Sequence, residues 1–256
     1  ALGLLVVFPT GIVATWLLLC ALRVLQTRHT RTGEASLTLQ EMTTSGSEVQ
    51  GSEDATPPAV GGELWRFVCT GKALLFFATT FVLGIGEGVM QSYTFIRLQE
   101  LPHGSTWIMS LSTVCMVASE VPFAIWARSI QARLGVMFTL AMSLVAQFVR
   151  MGWTSALPDA RWILPGELLH GVTFAVAYTS GGLHVSAIAP PSLRSTAQSL
   201  LSSTLLLGMA TAGYLGGLTV HHWGVAAVFR AFAGLALAWS ALPLSLGCWQ
   251  WWAGQR

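Results

Sequence analysis

Seven runs of 21 to 27 predominantly apolar residues leave this chain few ways to fold: 1–24, 73–95, 107–127, 135–157, 162–188, 195–220 and 225–248. A bilayer core of about 30 Å is crossed by roughly 20 residues at 1.5 Å of rise each. Inside it no water can satisfy backbone N–H and C=O groups, so each run must form a helix. The expected fold is all-α: a polytopic membrane bundle of seven helices. Pro102, Pro158, Pro190 and Gly224 bound the short connections, so consecutive helices of the last six should pack antiparallel.

Composition agrees and narrows the function. Only 9% of residues are charged and 53% are hydrophobic, against about a quarter charged in soluble domains. A net charge of +2 gives no basis for binding nucleic acid. Cys20, Cys69, Cys115 and Cys248 have no CxxC or paired spacing, so neither a disulfide framework nor a metal site is expected. No cofactor motif is present. Gly84-Ile-Gly-Glu-Gly88 lacks the third glycine of a nucleotide loop, since Val89 stands there.

The exception to the apolar pattern is residues 26–63, rich in Ser, Thr, Gly and Glu, which bury too little apolar surface to order themselves. The expected organisation is a membrane helix over 1–25, a disordered cytoplasmic loop over 26–66, a six-helix membrane bundle over 67–250 and a cytoplasmic tail over 251–256. The chain starts inside a helix and has no initiator Met, so it reads as a fragment of a longer protein. The start has no basic region or cleavage site of a signal peptide. Placing the loop in the cytoplasm puts nine basic residues on that side (Arg23, Arg28, Arg31, Arg66, Lys72, Arg128, Arg133, Arg194, Arg256) and three outside (Arg97, Arg161, Arg230). The positive-inside rule supports that orientation.

Ionisable groups inside the runs are the functional suspects, because each costs about 2.5 to 3.5 kcal/mol to insert and persists only against protein or water. Arg150, Glu167, His170 and Glu87 fall on three runs and in one layer, roughly 7 to 12 Å from the outer ends. Glu167 and His170 are three residues apart and share a helix face, continued by Thr173, Ala177 and Gly181. These four are the candidates for proton coupling or substrate contact, the alternative being a static Arg-Glu-His cluster that holds two helices together. Glu120 is expected near the cytoplasmic end, paired with Arg128 or Arg133, in a gating or structural role. Gln198 and the Gly213/Gly217 pair are expected to pack helices together. His221 and His222 are expected in an outer loop, solvated. Trp107, Trp153, Trp162, Trp223, Trp249, Trp251 and Trp252 fall near helix ends as an interfacial belt.

His170-Gly-Val-Thr-Phe-Ala175, Ala189-Pro-Pro-Ser-Leu-Arg194 and Thr196-Ala-Gln198 resemble the tenth and eleventh helices of a major facilitator superfamily transporter. Ser119-Glu-Val-Pro-Phe123 and Leu98-Gln-Glu-Leu101 resemble the matching parts around helices seven and eight. The closest resemblance is to the branch of lactose-permease-like and nucleoside-proton symporters and the animal major facilitator domain-containing protein 6 group. It implies that 1–24 is the sixth helix, that the polar stretch is the central loop, and that the rest is the C-terminal six-helix half. It further implies alternating access with an N-terminal half, a small polar solute such as a sugar or nucleoside, and proton coupling. In that scheme Glu167 carries the proton, Arg150 biases it, and His170 relays it or contacts solute. Two departures stand out. Glu precedes His here, the reverse of the lactose-permease order, and the loop Ala127-Arg-Ser-Ile-Gln-Ala-Arg-Leu-Gly135 lacks the superfamily's Asp.

The expected function is thus part of a proton-coupled secondary transporter of the plasma membrane, not an enzyme. The alternative is a receptor or scaffold on a transporter fold, since fold does not fix function. A seven-helix signalling receptor is disfavoured because the chain has no Asn and so no helix-end Asn-Pro motif. A retinal pigment needs a buried Lys, and the single Lys72 lies at a membrane edge. No HExxH supports an intramembrane metalloenzyme.

Overall fold

A computed structural model describes residues 68–253, with side chains to residue 249. The run at 1–24, the loop at 26–66 and Cys20 lie outside these residues. Seven α-helices follow one another: α1 Gly71–Glu100, α2 Thr106–Leu134, α3 Val136–Ser155, α4 Ile163–Glu167, α5 Ala177–Ile188, α6 Arg194–Trp223 and α7 Val225–Ala253. A π-helical turn, Gly171–Val176, stands between α4 and α5, and no strand occurs among the described residues. The α7 helix runs three residues past the expected boundary at 250.

Five helices are long and apolar enough to cross a membrane: Gly71–Glu100, Thr106–Leu134, Val136–Ser155, Pro191–Trp223 and Val225–Trp249. The run at 162–188, expected as one uninterrupted helix, is instead broken into α4, the π turn and α5. Pro165, Gly166 and Gly171 weaken the helix there. Neighbouring side chains take up the backbone groups that the break releases. Ser119 Oγ accepts from the Gly171 N–H at 3.0 Å and faces the Glu167 carbonyl at 3.4 Å. Ser143 Oγ donates to the Val172 carbonyl at 2.8 Å. An irregular backbone survives at membrane depth only when protein satisfies it in this way.

The ends of the long helices follow from sequence. Ser105 caps α2 by accepting from the Ile108 N–H. Gly135 and Gly224 end α2 and α6 at φ 78° and φ 80°, in the left-handed region that favours glycine. Helix α2 also runs seven residues beyond the expected stop at Ala127, passing Pro122 without ending.

Helix α1 is the hub: 78% of its apolar window is buried, against 17% for α2 and for the span that contains α6. Without a hydrophobic gain between helices in lipid, close dispersion contact has to hold them, and small residues permit it. Gly84 and Gly88 of α1 lie against the α6 backbone, where a Cβ on Gly88 would sit 2.6 Å from Met209 Cα. The facing glycines are Gly208 and Gly216, not the expected Gly213 and Gly217, which have open space or only the Tyr93 hydroxyl beside them. Tyr93 explains the difference, since its ring packs on Gly216 and its hydroxyl donates to the Gly213 carbonyl at 2.7 Å. Helix α7 joins α1 and α3 through Phe229, Val228, Val89 and Met151. His221 and His222, expected in a loop, are the exposed last turn of α6, stacked edge to face at 4.9 Å.

Candidate functional site

The break between α4 and α5 carries Glu167 and His170 inward to Arg150 on α3. Arg150 is 1% exposed and uses its guanidinium as a fork. Nη2 donates to Glu167 Oε2 at 2.6 Å; Nη1 contacts His170 Nδ1 at 2.9 Å and Thr173 Oγ1 at 3.4 Å. A charge-assisted pair of this length, away from water, is among the strongest polar contacts a protein makes. Glu167, His170, Thr173, Ala177 and Gly181, expected as one stripe of a regular helix, are all buried, but the π turn at Gly171–Val176 interrupts that helix.

Arginine can only donate, so the 2.9 Å contact makes His170 Nδ1 an acceptor and puts the proton of the neutral ring on Nε2. That nitrogen then donates to Glu120 Oε1 at 2.9 Å. Helix α2 thereby joins the network. This corrects the expected partnership of Glu120 with Arg128 or Arg133. Because α2 continues to Leu134, Glu120 lies near its middle, and the two arginines are exposed at its end with no acidic partner among the described residues. Phe174 stacks on the His170 ring at 5.4 Å and holds its plane.

Glu87 of α1 completes the cluster with looser contacts. It is 1% exposed, yet its Oε1 lies 3.7 Å from Arg150 Nη1 and its Oε2 3.5 Å from His170 Nδ1. Neither oxygen has a hydrogen-bond partner of good geometry. One guanidinium therefore serves two fully buried carboxylates, while Glu120, with its side chain 33% exposed, meets the network from the rim. Gln147, one turn from Arg150, is buried against Gly86 with both amide atoms unpaired.

The network borders a cleft of about 200 Å³. Its floor is Glu87, Arg150 and Glu167; Gln91, Thr94, Ser112 and Thr113 supply polar walls, and Met90, Phe95 and Met116 apolar ones. Sequence inspection did not single out these wall residues. Gln91 and Thr94 lie one and two turns from Glu87 on α1, which is the signal that was available. Gln198 bonds the Gly182 carbonyl at 2.8 Å and Ser186 Oγ at 2.6 Å, joining α6 to α5 away from the cleft. Cys69, Cys115 and Cys248 are free thiols, and no group of ligands suited to a metal ion occurs among the described residues.

A second polar cluster links two loops at the α1–α2 end. Asp159 accepts from Arg161 at 2.9 Å and contacts His103 Nδ1 at 2.7 Å, and the Ala160 N–H donates to the Pro102 carbonyl at 3.1 Å. The hydrogen bonds from Arg161 hold the Asp159 carboxyl well below the usual carboxylate range.

A multi-pass helical bundle with a charge network in its membrane layer defines an integral membrane protein organised around an intramembrane site. Residues 3–231, most of the chain, match the sequence profile of the MFS_1 like family, and the protein belongs to that family within the major facilitator superfamily. Membership points to solute transport.

Proposed function

We propose that this chain is part of a secondary active transporter that moves a small polar solute by alternating access, coupled to protons. The observation that carries the proposal is the Arg150–Glu167–His170–Glu87 network, three of whose members, Glu87, Arg150 and Glu167, border a mainly apolar cleft. Buried charges at membrane depth are costly and mark ion or substrate paths. The charged floor and the few hydroxyl and amide groups of Gln91, Thr94, Ser112 and Thr113, set among apolar walls, suit a small solute with an apolar face and polar substituents, such as a sugar or nucleoside. We further propose the lactose-permease-like and nucleoside-symporter branch, with the bundle as the C-terminal half. An N-terminal six-helix half is its partner, because binding in such transporters lies at the interface between repeats. The membrane is proposed to be the plasma membrane, with the 26–66 loop and the C-terminus in the cytoplasm.

The test is uptake of a panel of sugars and nucleosides by the full-length protein, with both halves present, in liposomes under an imposed pH gradient, with Arg150→Met as the comparison. Gradient-dependent uptake of a panel member, lost in Arg150→Met, supports the proposal. A folded protein that binds panel solutes without moving them favours a receptor on a transporter fold.

A further inference from the structure

Glu87 differs from every other member of the network in what lies on its two sides. Toward the C-terminal end of α1 it meets the 200 Å³ cleft with Gln91 and Thr94. Toward the N-terminal end it meets a second space of about 10 Å³, bounded by Thr80, Leu83, Leu140, Thr173 and Tyr178. That volume admits about one water. Glu87 is the residue common to both spaces; Arg150 and Glu167 border only the first. Since α1 crosses the membrane, the two spaces lie on opposite membrane sides of this carboxyl.

Bonding separates the two acids as well. Glu167 is fixed at 2.6 Å from Arg150 Nη2, and losing that pair would strip the broken helix of its anchor. Glu87 has no such short ion pair: Arg150 Nη1 stands 3.7 Å away, and the side-chain donor beside it is the Thr173 hydroxyl. Its Oε2 lies 3.5 Å from His170 Nδ1, whose one lone pair is already taken by Arg150 Nη1, so the ring gives this oxygen no proton. The charged groups around it are Arg150 from α3, His170 and Glu167 from the broken segment, and Glu120 from α2. From α6 come the apolar side chains of Leu201 and Leu205, which line the smaller space with it.

Building on the proposed transport function, we infer that Glu87, and not Glu167, is the carboxyl that takes up and releases the coupled proton, exchanging it with one space and then the other. A hydronium ion in the larger cleft loses one O–H bond, becoming water, as an O–H bond forms at a Glu87 oxygen. That bond then breaks as one forms on a water in the smaller space, making hydronium there, so one proton crosses and the carboxylate is restored. Arg150 and Glu167 stay paired throughout and position the site.

The test combines infrared spectroscopy with transport, using Glu87→Gln, Glu87→Asp and Glu167→Gln in the reconstituted protein. The carbonyl stretch of a protonated buried carboxyl, titrating with pH and shifting in heavy water, is expected in the unaltered protein. Glu87→Gln removes it, Glu87→Asp moves its frequency, and Glu167→Gln retains it. In liposomes Glu87→Gln is expected to lose gradient-driven accumulation down to the protein-free level. A band that survives Glu87→Gln and vanishes in Glu167→Gln would overturn the assignment, whatever the transport result. If no solute is moved by any form, the proposed function fails, and the band still decides where the proton sits.

Discussion

At the scale of single residues, the cluster rests on one cation. Arg150 faces Glu167 and Glu87 in a site where none of the three is more than 3% exposed. Removing one partner of a buried ion pair leaves the other charge without compensation, which costs about 3–5 kcal/mol. Arg150→Met should therefore lower stability by about that amount in thermal unfolding of the detergent-solubilised protein. Arg150→Met combined with Glu167→Met should recover part of the loss, and an additive double variant would show that the two side chains act independently. Glu120 behaves differently. With its side chain 33% exposed it is partly solvated, so Glu120→Gln, which keeps an acceptor for His170 Nε2, should cost under about 1 kcal/mol in the same measurement.

Elements explain how those residues meet. The span that brings Glu167 and His170 inward could not do so as a regular helix without withdrawing the groups that Ser119 and Ser143 bond. Ser119→Ala leaves the Gly171 N–H unbonded at membrane depth, at a cost of about 1–3 kcal/mol. Gly171→Ala places a methyl 2.5 Å from the Ser119 carbonyl. Both should raise hydrogen exchange between 167 and 176 before they lower global stability, and unchanged exchange would show that the break does not depend on α2. The loop joint at Asp159 has its own pH dependence. A carboxyl depressed in the folded state stabilises above its unfolded pKa of about 3.9 and loses that contribution as pH falls through its lower folded value. The joint should thus persist at pH 5 and open only in stronger acid, with Asp159→Asn opening it at neutral pH. Protease cleavage at residues 101–105 reports this.

For the whole molecule, much was legible because the bilayer reads sequence crudely. Apolar runs of membrane length gave the spans at 73–95, 135–157, 195–220 and 225–248, and each became a helix of similar extent. Arg150, Glu167, His170 and Glu87 stood out because charge in such a run is rare, and they do converge. What hydropathy misses is local. It cannot see the π turn, whose residues are as apolar as those of a regular helix and whose cause is the bonding of Ser119 and Ser143 on other helices. It ended the second described span too early, because polar Arg128 and Gln131 belong to a helix that continues past the apolar core. That misplaced Glu120 toward the arginines and away from His170. The GxxxG spacing of Gly213 and Gly217 likewise did not show which glycines of α6 pack closest, since it is Gly216 that lies against the Tyr93 ring, while a Cβ at Gly213 would meet open space.

The central claim is that this buried network couples solute movement to protons. Its most direct test is to add solute to de-energised liposomes holding the protein and to record the pH of an unbuffered medium. The account predicts alkalinisation as solute and proton enter together, absent in Glu87→Gln. Solute entry with no pH change would contradict proton coupling and leave the network as a structural clamp around the broken helix.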